Sequence, residues 1–174
     1  MDWRDSVIDA YGRVGQVLER ALDGLTPGDL NWQPHSDSNS MGWLTWHLTR
    51  AQDVRLSILM GKEQLYLSDR WYAKFNRTSD SQDRGFGHTS EEVAAFESPD
   101  VQILLDYYHA VLEQTRSYIR SLAEADLGEE LNEDRQPVPT VGMRIVDILS
   151  DNLQHAGQVA YLRGLRKGKG WLDL

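Results

Sequence analysis

The segment Thr140–Leu162, TVGMRIVDILSDNLQHAGQVAYL, decides the fold. Val141, Ile145, Ile148, Asn152, His155, Val159 and Leu162 recur at three- and four-residue intervals, the period of one helix face. Thr140, preceded by Pro137 and Pro139, stands where an N-cap is needed. Asp151 and His155 are four residues apart, so carboxylate and imidazole leave the same side of the helix about one turn, or roughly 6 Å, apart. One helix can therefore present two metal ligands, and a third from a neighbour would leave a coordination position open, as catalytic zinc sites do.

Three further segments carry the helical period. Val7, Ile8, Tyr11, Val14, Leu18, Ala21, Leu22 and Leu25 predict a helix over about 3 to 24, ended by Pro27-Gly28 and followed by a polar loop from Asn31 to Asn39. Ser40 caps a second helix that carries Leu44, His47, Leu48, Ala51, Val54 and Ile58 and stops near Gly61. Ser98-Pro99-Asp100 opens a third, with Ile103, Leu104, Tyr107, Val111, Tyr118, Ile119 and Leu122 on its apolar side. Between the second and third lies a long connection, about 62 to 98, with Trp71, Tyr72, Phe75, Phe86 and His88. Connections of that length inside a compact domain are often functional. The reading is one all-α domain over residues 1–166, with a tail at 167–174 expected to fray or pack loosely.

Composition limits what this domain can be. The 174 residues, 40% hydrophobic and 26% charged, suffice for one well-buried core. No apolar run approaches a membrane span, and Met1-Asp2-Trp3-Arg4-Asp5 lacks the order of a signal peptide, so a cytoplasmic protein is expected. The absence of cysteine excludes disulfides, thiolate metal sites and a cysteine nucleophile, leaving His and carboxylate to hold any metal and an external thiol for any thiol chemistry. A net charge of −9 and the lack of a Lys/Arg stripe argue against nucleic acid as a partner.

On helical angle, Asp151 and His155 lie near Ile148 and Val159, and His47 near Leu44 and Ala51, which places three polar groups on inward faces. Groups so placed need each other or a cation. Metal binding in the bundle core is one solution. A buried Asp-His-His hydrogen-bond network without metal is the other.

The run Ser40-Met41-Gly42-Trp43-Leu44-Thr45-Trp46-His47-Leu48-Thr49-Arg50-Ala51-Gln52-Asp53 resembles the second-helix signature of the DinB/YfiT-like superfamily, in which the His after a Trp is a metal ligand. Asp151-Asn152-Leu153-Gln154-His155-Ala156-Gly157-Gln158 resembles its fourth-helix signature, commonly two His four apart followed by Gly-Gln. The resemblance implies a DinB-like four-helix bundle with a long connection between helices 2 and 3, and a metal held by His47, Asp151 and His155. Asp151 stands where many members have His; the thiol-dependent branch, which includes mycothiol-dependent maleylpyruvate isomerases, is similar in having an acidic residue there.

Two imidazoles and a carboxylate suit zinc, nickel, manganese or iron(II), with zinc favoured. Such an ion could activate a low-molecular-weight thiol, with bacillithiol, mycothiol and glutathione the family-based candidates, or activate water. The expected function is a metal-dependent transferase acting on a small electrophile; a metal-dependent hydrolase and a non-catalytic, stress-related binding or scaffold protein with a structural metal are the alternatives. Arg144 is a candidate for a substrate carboxylate or for surface pairing with Asp147, Gln158 for orienting a ligand, and Trp46, with Trp43, Trp71 and Tyr107, for walling a pocket. His109 is a reserve ligand, and His35 and His88 are expected in solvent. The aromatic connection suggests apolar surface for a homodimer, or a lid that folds back over the site.

Overall fold

The structure, a computed structural model, describes residues 2–134 and 136–171. Four long helices form a bundle: α1 (Trp3–Leu22), α3 (Met41–Met60), α7 (Val101–Ser121) and α8 (Val141–Lys167). Side chains cap the last three: Ser40 and Thr140, the two expected caps, and Asp100 from the opening Ser98-Pro99-Asp100. The Ser40 hydroxyl accepts from Trp43 N at 3.2 Å, the Asp100 carboxylate from Ile103 N at 2.8 Å and the Thr140 hydroxyl from Met143 N at 3.3 Å. Helix α8 packs against α1 and α3, and α7 packs against the same two, so α1 and α3 stand on opposite corners. No described helix is long and apolar enough to cross a membrane.

A polar layer crosses the centre of this apolar core. Asn152 of α8 donates to Gln52 of α3 at 2.5 Å, and Gln52 donates to Thr115 of α7 at 2.7 Å, which ties three helices in register. Tyr11 of α1 reaches the Ile145 carbonyl at 2.8 Å, bonding α1 to α8. Buried polar groups paired in this way rigidify a bundle and penalise slipped alternatives.

Between α1 and the expected polar loop at Asn31–Asn39, Pro27–Leu30 forms a one-turn helix, α2. Thr26 caps it, and Pro27 occupies the first helical position, where its fixed φ suits the helix and its missing N–H costs nothing.

Of the two expectations for the connection after Gly61, the structure shows the one in which it folds back: its aromatic residues cover α3 instead of facing outward. It holds three short helices, α4 (Leu65–Ser68), α5 (Trp71–Lys74) and α6 (Ser90–Ala94). Trp71 and Phe75 pack on Tyr107 with ring centroids 5.1 and 5.8 Å away, and only Phe86 remains a large exposed apolar residue there, at 82%. Helix α3 is consequently buried at sixteen of its twenty positions. Two charged side chains of α3 hold the cover down. The Asp53 carboxylate accepts from Leu65 N at 3.0 Å, Tyr66 N at 2.8 Å and Tyr107 Oη at 2.7 Å, capping α4 from outside. The fully buried Arg50 guanidinium lies 3.8 Å over the Tyr66 ring and donates to the Asp83 and Ser81 carbonyls and to Gln64 Oε1.

Arg166 Nε and Lys167 Nζ reach Asp29 at 2.9 and 2.7 Å, and Trp171 is half-buried beside Arg13, Val17 and Arg20 of α1. Residues 172–174 of the expected tail lie outside the described residues.

Candidate metal centre

Helices α3 and α8 bring His47, Asp151 and His155 together: one donor atom from each lies within 4.8 Å of the other two. His47 comes from the covered face of α3 and is 8% exposed. Its ring stacks on Trp43, one turn earlier, at 4.7 Å and 9°, and meets the His155 ring edge-on at 4.8 Å. Its Nδ1 bonds the Arg84 carbonyl. A carbonyl only accepts, so Nδ1 carries the proton and the Nε2 lone pair is free. Burial pushes the imidazole pKa below its usual value, against the pull of that carbonyl, so the ring remains neutral as a ligand must.

On α8, His155 Nδ1 is bonded to Gln158 Oε1 at 2.8 Å, which again leaves Nε2 as the free donor. That Nε2 lies 3.7 Å from Asp151 Oδ1, too far for a hydrogen bond. Asp151 Oδ2 instead accepts from Arg55 Nη1 at 2.9 Å. Among the described residues no hydrogen bond joins any two of the three, so they do not form the metal-free network that would satisfy them.

The sequence reading placed Asp151 and His155 on the inner face of α8, and the structure moves them to its rim. The buried stripe runs through Ile148, Asn152, Ala156 and Val159, whereas both ligand candidates are half-buried, with side chains 26% and 19% exposed. One residue turns a helix by about 100°, so Asp151 next to buried Asn152, and His155 next to buried Ala156, look sideways toward α3. That position lets a small molecule reach the cluster.

The secondary candidates divide. Gln158 does orient His155. Arg144 pairs with Glu133 and lines a cavity beside Asp151. Trp46, offered as a pocket wall, is fully buried and packs on Phe96 at 5.0 Å and His88 at 6.1 Å; it is Trp43 that touches His47. His109 is removed from the cluster and paired with Glu19 at 2.9 Å, and His35 is exposed. His88, expected in solvent, is 15% exposed, with Nε2 3.1 Å from Asp83 and Nδ1 accepting from Trp43 Nε1 at 3.3 Å.

Arg55 is the residue the sequence reading missed. It follows His47 by eight positions, two turns along the same face of α3, and that spacing was the available signal. Gly85 was missed as well. Its φ is +80°, and a Cβ there would lie 2.7 Å from Trp43 and 3.1 Å from His47 Nδ1, so only glycine lets the neighbouring Arg84 carbonyl reach His47.

A capped helical bundle with a His-Asp-His cluster between two long helices is the arrangement of a metal-binding family. The profile of the DinB superfamily matches residues 10–159, and the chain belongs to that superfamily. Among solved structures, one described as a conserved protein from Enterococcus faecalis is 30% identical, with a TM-score of 0.89 over 97% of this chain and 99% of that one. Comparison with curated proteins returns no match.

Proposed function

We propose that the chain is a metal-dependent enzyme that uses His47, Asp151 and His155 to hold one divalent ion, zinc favoured, and transfers a low-molecular-weight thiol to a small electrophile. The supporting observation is the convergence of three unshared donors at a half-open rim, in a cluster that contains just these three groups among the described residues. Three protein ligands leave room for an exogenous one, as catalytic sites require and closed structural sites do not. A bound ion of this kind would favour the thiolate form of an incoming thiol at neutral pH. The chain's own residues prepare the place: Arg84 and Gln158 set the tautomers, Arg55 aligns the carboxylate, and Trp43 fixes the plane of His47. A cytoplasmic setting, where small thiols are kept reduced, and a small-molecule partner rather than nucleic acid belong to the same proposal.

The proposal includes a homodimer, on a different surface from the one the sequence suggested. Val146 and Leu153, seven residues apart on one face of α8, are 61% and 49% exposed.

The enzyme reading is tested by thiol consumption with chlorodinitrobenzene, comparing wild type, Asp151→Asn and Asp151→His, with metal content recorded for each. Asp151→Asn should lose metal and activity together. Asp151→His should keep metal but change turnover, because it alters the charge around the bound thiol without emptying the site. No consumption above background by fully metallated wild type, across bacillithiol, mycothiol and glutathione, would sink the transferase reading.

A further inference from the structure

Two cavities of opposite chemistry flank the metal cluster. The larger, about 500 Å³, runs along α8 past Tyr161, Leu162 and Leu165 to Leu44 of α3 and Pro34, and none of its ten lining residues is charged. The smaller, about 330 Å³, is lined by Arg55, Arg144, Asp147 and Asp151 with two uncharged polar residues, and by no apolar side chain. Asp151 is the one cluster residue that lines either of them. Gln154, adjacent to His155 in sequence, lines both; Gln158, which holds His155, lines the uncharged one; and Asp151 lines the charged one.

In a chain with a quarter of its residues charged and a net charge of −9, a ten-residue lining free of charge is a selective surface. A charged ligand entering it would lose hydration with no ion to replace it. The other cavity is lined by charges of both signs, with Arg55 held by Asp151 and Arg144 by Glu133, and so presents a polar wall on which a charged ligand keeps its polar contacts. Glutathione and bacillithiol carry ammonium and carboxylate groups at neutral pH, so the charged cavity suits a thiol of that kind and leaves the groove to the other reactant.

We propose that the groove between Leu44 and Leu165 is the subsite for an apolar, uncharged portion of the electrophile, with the charged thiol approaching from the Arg55 and Arg144 side. The assignment rests on the thiol-transfer reading for its second half, and on the cavity's own lining for its first.

The test uses unreactive probes, so that it does not depend on turnover. N-methylsuccinimide and N-hexylsuccinimide differ only in alkyl length, and their dissociation constants are measured on the full-length, metal-loaded chain by calorimetry or by ligand-observed NMR. The hexyl probe should bind about tenfold tighter or more, since several methylenes leave water. Leu165→Glu should abolish that preference and Tyr161→Ser should reduce it; both residues are more than half exposed, so the fold should survive, and thermal melting checks this. Equal binding of the two probes to wild type overturns the proposal, and so does a length preference that persists in both variants. A length preference without any thiol consumption would leave the groove assigned and remove the transferase reading. Thiol consumption without a length preference would do the reverse.

Discussion

Each ligand candidate depends on one neighbour that decides which atom it can offer. The Arg84 carbonyl accepts a hydrogen bond from Nδ1–H of His47, Gln158 Oε1 does the same for His155, and Arg55 occupies one oxygen of Asp151. His47→Ala and His155→Ala should each abolish stoichiometric binding of a divalent ion, whereas His35→Ala, in solvent, should leave it intact; equilibrium dialysis with metal analysis reads the difference. Gln158→Ala should weaken binding by about 10- to 100-fold, the usual effect of removing a group that orients a ligand. The buried His47 also makes the metal-free protein sensitive to acid. Its folded pKa lies below the ordinary 6.5, so the unfolded chain takes up a proton first as pH falls. Stability is therefore fully present above about pH 6.5 and declines as pH drops through the folded value. Melting curves of metal-free protein between neutral pH and pH near 5.5 should show this decline, and His47→Asn, which keeps a donor for Arg84, should flatten it.

Among the elements, the segment after Gly61 takes the folded-back form, one of the two that the sequence left open. It is fastened by Asp53 at α4, by Arg50 at Ser81 and Asp83, and by His47 at Arg84, so the metal cluster and the cover share an anchor. Gly85→Ala tests that linkage. A side chain at φ +80°, set against Trp43 and His47, should cost on the order of 1–3 kcal/mol of stability. Because Arg84 would move with it, divalent-ion affinity should fall along with the melting temperature. A stability loss with unchanged affinity would show that cover and site are independent.

At the scale of the whole molecule, the apolar residues that remain exposed are concentrated on α8, not in the connection. If Val146 and Leu153 form a self-association surface, sedimentation at micromolar concentration should report a dimer. Leu153→Lys should then shift it to monomer without loss of helicity, since the residue is half in solvent already. A monomeric wild type ends that proposal.

The sequence by itself determined the four long helices, because an apolar repeat near 3.6 and a capping residue ahead of it are local signals: Ser40, Asp100 and Thr140 each cap the helix they announce. It also singled out His47, Asp151 and His155, since a four-residue spacing on α8 and the flanking motifs lie along the chain. Only the tertiary structure decided the rest. Whether an aromatic residue in an irregular connection faces water or a helix depends on long-range partners, here Tyr107 for Trp71 and Phe75. Whether a ligand candidate sits at the centre or the rim of a buried stripe turns on one residue of helical rotation, a difference set by how α8 docks against α3. The spacing from His47 places Arg55 near the cluster, but its pairing with Asp151 joins positions 96 residues apart, which no local pattern specifies.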